Sequence, residues 1–273
     1  MPVRPRRVGA VLLGVLLAAV GALVAVAPAQ AIYHGHDADF GKYRFMVSLR
    51  LASTPDNPRC GGTLIAPDIF LTAAHCVVGV PQGGITAVVG ANIPDWPTAP
   101  KIGSLGHAIP QTYDPDGDNR DDIALVRLAI PQSGPTIRLA PAEPRVGAHV
   151  VIAGFGCTNI PVPPVCETRP TVLQETGQKV LSDAAGCGPT IFVNPPAFGP
   201  TTICTVGLGN DSTVNRGDSG GPLLVRDPCG GFRQAGVLSV GSDSPDPLVA
   251  GYTSIPVEAQ WIDDTIEQLR HSG

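Results

Sequence analysis

From residue 32 onward, the chain consists of short apolar runs separated by Gly, Pro and Asp. The runs are rich in β-branched residues and all but one are six to nine residues long, which is typical of strands. They occupy residues 45–51, 61–73, 85–91, 123–130, 148–156, 177–182, 221–227 and 234–242. Four prolines within 131–147 predict an extended connection between two β units. The pattern therefore predicts an all-β protein with two halves.

One helix is predicted, over residues 257–270 at the end of the chain. Its apolar positions recur at helical spacing and place five side chains on one face. These side chains are Val257, Trp261, Ile262, Ile266 and Leu269. Pro256 suits the first turn, where its missing N–H is not needed.

The first 31 residues have the three parts of a secretory signal. Arg4, Arg6 and Arg7 give a positive start, Val8 to Ala27 is apolar, and Ala29-Gln30-Ala31 is a small-residue cleavage site. A membrane anchor is the alternative, because the apolar run nearly reaches spanning length. Arg6-Arg7 is only a weak indication of twin-arginine export. We expect removal of residues 1–31, secretion, and no stable membrane association afterwards.

Composition narrows the class of partner. Only 15% of the residues are charged, while there are 33 Gly and 29 Pro, a mixture that suits a β protein with many turns. Without the signal, 15 basic side chains face 23 acidic ones, a net charge of −8. This acidity argues against nucleic acid or an anionic membrane as a partner. The seven cysteines lie in the exported part, where disulfides are permitted and an odd count leaves one over.

Three segments carry candidate chemistry: His75 in "TAAHC", Asp122 in "DDIALVRL" and Ser219 in "GDSGGP". Each alone has an ordinary structural explanation. Together they supply a hydroxyl nucleophile, an imidazole that removes its proton, and a carboxylate that fixes the imidazole tautomer. The glycines around Ser219 allow backbone N–H groups to converge on one point, where an oxyanion would be stabilised.

These three motifs, in this order, resemble the trypsin/chymotrypsin family of serine endopeptidases. The resemblance covers nearly the whole chain after residue 31. It implies two perpendicular six-stranded β-barrels, over about 32–140 and 141–256, followed by the C-terminal helix. It also implies protein or peptide substrates, no cofactor and no metal, and we expect a monomer. A secreted binding protein on the same fold with an inactive site is the alternative.

The resemblance assigns roles to the site residues. Ser219 becomes the nucleophile, His75 the general base and then acid, and Asp122 the orienting carboxylate, with Asp121 as the rival for that place. The N–H groups of Gly217 and Ser219 would form the oxyanion hole. Ser239 corresponds to a serine that hydrogen-bonds the orienting aspartate, and a plain strand serine is the alternative.

The same resemblance implies a function for cleavage between Ala31 and Ile32, at the end of the predicted signal. In the family, cleavage frees an apolar N-terminus whose ammonium group inserts beside the Asp that precedes the catalytic Ser. Here the pair would be Ile32 and Asp218, and the bond cut is Ala31–Ile32. We therefore expect that removal of the signal also activates the enzyme. The alternatives are a signal cut elsewhere or a degraded N-terminal motif.

For the cysteines, the resemblance implies disulfides Cys60–Cys76 and Cys187–Cys204. We expect a local third bridge between Cys157 and Cys166, because both flank one loop. Cys229 is then left over, either capped by a small thiol or paired between molecules.

The substrate pocket departs from the family pattern. Asn215 stands where many relatives have a Cys, and Thr213 stands where trypsin-like members have the Asp that selects Lys or Arg. Asp211 could take that place only with an insertion. With Ser239, Gly241 and Ala250 as the other lining residues, we expect an uncharged or apolar residue before the scissile bond.

Two further features of the sequence are charged. Arg216 at the pocket rim could meet an acidic substrate side chain, although a solvated surface position is its simpler interpretation. The acidic loop 114–122 has five Asp but lacks the spaced Glu of a calcium loop.

Overall fold

Strands account for most of the regular structure. The computed structural model describes Met1 and residues 32–90, 98–115, 120–157, 169–182, 201–208, 212–241 and 249–271. The strands are β1 His36–Asp37, β2 Met46–Leu51, β3 Pro58–Ala66, β4 Ile69–Thr72, β5 Ile85–Val89, β6 Ile102–Ala108, β7 Ala124–Leu128, β8 Arg138–Leu139, β9 His149–Gly154, β10 Gln174–Val180, β11 Thr202–Gly207, β12 Pro222–Arg226, β13 Phe232–Gly241 and β14 Val249–Ser254. One helix, α1, spans Ala259–His271. The predicted signal, beyond Met1, lies outside the described residues.

The strands form two six-stranded antiparallel barrels, as predicted. The first closes in the order β2-β3-β4-β7-β6-β5. The second runs β10-β11-β14-β13-β12-β9 and closes because β9 also pairs with β10. Closure leaves few unpaired strand edges, which limits pairing with other chains.

Two short strands extend the second sheet beyond its six barrel strands. β1 pairs with β10 and β8 pairs with β13, so both join the second sheet although they precede it in the chain. The N-terminal segment is fixed there by the buried Glu175, which accepts hydrogen bonds from Lys42 Nζ at 2.7 Å and from Tyr43 Oη. The six strands of the first barrel end at Leu128 and those of the second begin at His149.

The strand pattern was incomplete in two respects. The run 61–73 is not one strand but the hairpin β3–β4, turning at residues 67–68. β6, β11 and β14 did not stand out as apolar runs, because each of them contains glycine together with serine or threonine. Their strand structure comes from pairing with neighbours inside a closed barrel, which is tertiary information.

Each barrel encloses its own apolar cluster, and a third cluster joins them. The first barrel packs Leu64, Phe70 and Val126, which share one face of its sheet. The second packs Ile152, Leu223 and Tyr252 around Ile32. The third draws on both halves and contains Tyr43, Phe45, Met46, Ile137, Ala153, Phe155, Leu173 and Leu224. Burial of apolar surface from both halves holds the two barrels together and so maintains the cleft between them.

Helix α1 packs against the first barrel. Ile262 is fully buried there. The partly buried side chains of Trp261, Ile266 and Leu269 pack against the same apolar cluster. Arg127 Nη1 donates to the carbonyl of Leu269 at 2.7 Å, near the helix end. The prediction was wrong for Val257, which precedes the helix and is 51% exposed. No helix in the described part of the chain is long and apolar enough to cross a membrane.

The contrast between Ile262 and Val257 gives a test of the packing. Ile262→Ala should lower the free energy of unfolding by about 2–5 kcal/mol, because it leaves a cavity under α1. Val257→Ala, in the same segment but exposed, should change it by less than about 0.5 kcal/mol. Urea titration of both variants measures the two values. Equal losses would contradict the observed burial.

Candidate active site

The imidazole of His75 pairs with the carboxylate of Asp122. The distance from His75 Nδ1 to Asp122 Oδ2 is 2.7 Å, and the backbone N–H of His75 donates to Oδ1 at 2.9 Å. His75 lies in a short 3₁₀ turn, Ala74–Cys76, directly after β4. Asp122 precedes β7, which pairs with β4, so the pairing of these two strands brings the side chains together. Both oxygens of the carboxylate therefore orient the same histidine.

The second barrel also holds Asp122. Ser239 of β13 donates its hydroxyl to Asp122 Oδ2 at 2.6 Å, and Thr253 of β14 donates to the Asp122 carbonyl at 3.0 Å. Asp122 has no exposed surface. Such a carboxylate keeps its charge inside a protein only when hydrogen bonds replace water, and here three donors do so.

The structure places the rival, Asp121, elsewhere. Its backbone is left-handed, with φ of 53°, and its side chain hydrogen-bonds Glu258, just before α1. Burial, together with the neighbouring Asp121 carboxylate, raises the pKa of Glu258 to about 7. Adjacent aspartates thus point to different partners: Asp122 to His75 and Asp121 to Glu258.

The loop of Ser219 bridges the two barrels. The carbonyl of Ser219 accepts from Gly61 N of β3 at 2.7 Å, and Gly220 N donates to the Leu238 carbonyl of β13 at 2.8 Å. Gly220 has φ of 78°, and a Cβ there would overlap Thr72 Oγ1, so only glycine allows this approach. These contacts set Ser219 beside the end of β4, the strand that leads into the turn of His75.

Asp218, next to Ser219, is a buried carboxylate with 2% of its surface exposed. Its oxygens accept from Gly156 N at 2.6 Å and from Asn215 N at 2.9 Å. A Cβ on Gly154 or Gly156 would overlap the carboxylate, so both glycines make room for it. Desolvation raises the pKa of Asp218 to about 7, although the two backbone donors oppose that shift.

Ile32 packs beside Asp218. The isoleucine is fully buried among Ile152, Val214 and Tyr252 and lines the same small cavity as Asp218. Its φ is 56°, a left-handed value that is a genuine outlier for a β-branched residue. The following residues turn back, with Gly35 N donating to the Ile32 carbonyl at 2.7 Å.

The predicted pocket residues gather in the second barrel. Thr213 is fully buried, and its backbone N–H donates to the Tyr33 carbonyl at 3.1 Å. Gly241 pairs with Ala250 across β13 and β14, and a Cβ on Gly241 would overlap Val214. Asp211 lies outside the described residues. The walls seen here carry small and uncharged side chains.

Two arginines flank Gly217, and sequence reasoning missed one of them. Gly217 has φ of 100°, and a Cβ there would overlap Nη1 of Arg169. Arg169 lies twelve positions after Cys157 in the chain, so only the folded structure brings it to this loop. Arg216 is exposed, as the simpler interpretation held, and its carbonyl accepts from Cys157 N at 2.8 Å.

The cysteines agree with an oxidised protein. Cys60 and Cys76 form the predicted disulfide, which links β3 to the turn that contains His75. Cys157 and Cys204 are also disulfide-bonded, whereas the partners predicted for them, Cys166 and Cys187, lie outside the described residues. Cys229 is free and exposed.

One cluster of side chains among the described residues has the spacing of a metal site. It consists of His75 with Cys60 and Cys76. Its two sulfurs are joined to each other, so they are not thiolate ligands. Residues 116–119 of the acidic loop lie outside the described residues.

Comparison with known proteins identifies the family. The family model described as Trypsin matches residues 32–262. The chain belongs to the trypsin family. It is a serine endopeptidase, a hydrolase that acts on proteins.

Individual relatives of this trypsin-family chain agree. It is 31% identical to a trypsin-like protease of Streptomyces glaucescens, over 90% of each chain. It is 30% identical to hypodermin-B of Hypoderma lineatum, over 87% of this chain and 88% of the relative. Among solved structures, mouse neuropsin, a serine protease, shares the fold with a TM-score of 0.71 and 23% identity, over 86% of this chain and all of that one.

The raised pKa of Glu258 gives a test of this carboxyl pair. Between its ordinary value of about 4.5 and about 7, folded Glu258 retains a proton that the unfolded chain releases, so stability falls as pH rises through this window. Glu258→Gln should reduce that fall, because the amide cannot ionise. Glu267→Gln, an exposed position on α1, is the matched control. Urea unfolding at pH 4.5, 6 and 8 measures the slopes; equal slopes in wild type and Glu258→Gln would contradict the assignment.

Proposed function

We propose that this trypsin-family enzyme is secreted and cleaves peptide bonds through an acyl-enzyme formed on Ser219. The observation that carries the proposal is the hydrogen bond of 2.7 Å between His75 Nδ1 and the fully buried Asp122. That bond leaves the other ring nitrogen, Nε2, free to take the proton of a neighbouring hydroxyl. The backbone contact of Ser219 with Gly61 of β3 supports this role, because it joins the Ser219 loop to the barrel that carries His75.

In the proposed reaction, Ser219 Oγ attacks the substrate carbonyl carbon while its proton passes to His75 Nε2. Asp122 stabilises the resulting imidazolium without taking the proton. The imidazolium then gives the proton to the leaving amine as the peptide bond breaks. Water repeats the two proton transfers, releases the acid product and restores Ser219.

The negative oxygen of the tetrahedral intermediate needs its own partners. We assign this role to the backbone N–H groups of Gly217 and Ser219. The left-handed φ of Gly217 is the support for this assignment, because it turns the peptide away from the orientation that ordinary residues prefer. Such donors each contribute on the order of 3 kcal/mol to the transition state.

Activation is proposed to follow cleavage of the Ala31–Ile32 bond. The new ammonium of Ile32 would pair with Asp218, a carboxylate buried without a cationic hydrogen-bond donor among the described residues. Cleavage also abolishes the φ torsion of Ile32, which removes a strain of about 1–2 kcal/mol. Because an α-ammonium titrates near pH 8 and pairing raises that pKa, activity should decline at more alkaline pH.

For specificity, we propose that an uncharged or apolar side chain precedes the scissile bond. Thr213, Gly241 and Ala250 are buried or small and carry no charge for Lys or Arg to meet. Secretion after removal of residues 1–31, and a monomeric state, remain predictions from sequence.

Loss of the nucleophile tests the mechanism. Ser219→Ala should lower kcat roughly 10⁴- to 10⁶-fold on a casein-derived peptide, because no oxygen remains to form the acyl-enzyme. Ser133→Ala, an exposed serine outside the site, should retain full activity. Unchanged turnover in Ser219→Ala would overturn the mechanism, and absence of turnover in wild type cut before Ile32 would favour an inactive binding protein.

The N-terminal residue tests activation. In protein confirmed by mass to begin at residue 32, Ile32→Gly should lower kcat/KM about ten- to a hundredfold, because the buried side chain holds the ammonium in place. Ile32→Val keeps most of the buried surface and should lose less than about tenfold. Full activity of Ile32→Gly would rule out insertion of this N-terminus as the activating step.

A further inference from the structure

Arg169 occupies the space that a side chain at position 217 would fill. All three atoms nearest to the Cβ position of Gly217 belong to its guanidinium group. Its Nη1 is buried and has no hydrogen-bond partner among the described residues. A buried donor without an acceptor costs free energy, and a hydrogen-bond acceptor supplied by a ligand would remove that cost.

The charge around Arg169 points to the same conclusion. Asp218 is the carboxylate whose charge acts on Arg169, and desolvation lowers the pKa of the guanidinium against that attraction. When the ammonium of Ile32 pairs with Asp218, that carboxylate is neutralised. Arg169 is then a partly buried cation, while the carboxylate of Asp218 is already paired with the ammonium of Ile32.

Arg216, the residue directly before Gly217 in the chain, adds a second positive side chain. Its side chain is exposed, while its backbone is fixed by the hydrogen bond from Cys157 N to its carbonyl. Arg169 in space and Arg216 in sequence thus bring two positive side chains next to Gly217, on a chain whose net charge without residues 1–31 is −8. A local field of this sign favours approach of acidic peptides.

We propose that Arg169, assisted by Arg216, forms a subsite for an acidic substrate side chain that follows the scissile bond. The guanidinium fork matches the geometry of a carboxylate and can donate two parallel hydrogen bonds. This inference rests on the proposed function, since it takes Gly217 as part of the oxyanion hole.

The place of Arg169 in the fold indicates that it contacts substrate residues after the scissile bond and not those before it. The pocket for the preceding residue is built by β13, β14 and the segment of Thr213 and Val214. Arg169 instead belongs to the segment that follows Cys157, and it covers Gly217 rather than Val214 or Gly241. When the residue before the scissile bond occupies that pocket, the residues after the bond extend past Gly217 and meet the guanidinium of Arg169.

Two matched peptides test the subsite. They are quenched fluorescent substrates that differ only in Glu or Gln at the first two positions after the scissile bond, and mass spectrometry verifies the bond cut. Wild-type enzyme cut before Ile32 should prefer the Glu peptide about tenfold in kcat/KM, mainly through KM, and 0.5 M NaCl should reduce the preference.

Variants separate the role of Arg169 from general damage. Arg169→Gln should bring the Glu/Gln ratio of kcat/KM to about one, whatever its absolute rate on the Gln peptide, and Arg169→Lys should keep part of the preference. Arg145→Gln, an exposed arginine on the loop before β9, should leave the ratio unchanged.

The outcomes distinguish the two claims. Equal rates on both peptides in wild type, or an unchanged ratio in Arg169→Gln, would overturn the subsite while hydrolysis of the Gln peptide upholds the protease. If wild type cleaves neither peptide and does not react with a serine-directed phosphonate, the proposed function and the subsite both fail.

Discussion

The site depends on one buried carboxylate. Asp218 lies in space left by Gly154 and Gly156 and is held by backbone N–H groups from Gly156 and Asn215. Because Asp218 directly precedes Ser219 and follows Gly217, its position constrains both the proposed nucleophile and the proposed oxyanion donor. Burial of the Asp218 carboxylate costs desolvation energy, which raises its pKa to about 7. In the proposed activation, the ammonium of Ile32 offsets that cost and so couples the N-terminus to the geometry of the loop.

The pairing of the barrels supplies the rest of the site. His75 and Asp122 come from the first barrel, while Ser239 and the loop of Ser219 come from the second. The contact of Gly61 with Ser219 and the buried hydrogen bond of 2.5 Å between Thr63 and Gln234 cross the same boundary. Neither barrel alone contains the site, so its geometry depends on the apolar cluster that both halves share.

Much of this was predictable from sequence. Apolar runs bounded by turn residues identified many of the strands, and the three motifs identified the family. The strands β6, β11 and β14 escaped because their glycines and hydroxyl side chains hide the pattern. Val257 kept the helical spacing but lies before the helix starts, which periodicity alone does not reveal. Arg169 has no motif at all: its place beside Gly217 arises from long-range packing.

The central claim is that exposure of the Ile32 ammonium beside Asp218 makes Ser219 reactive. The most direct test compares two proteins, one freed to begin at Ile32 from a removable N-terminal fusion and one whose fusion joint cannot be cut. Intact mass after treatment with a serine-directed phosphonate measures the fraction of molecules labelled. We expect one adduct on nearly every molecule that begins at Ile32 and little labelling of the uncut protein. Equal labelling of both proteins would contradict it.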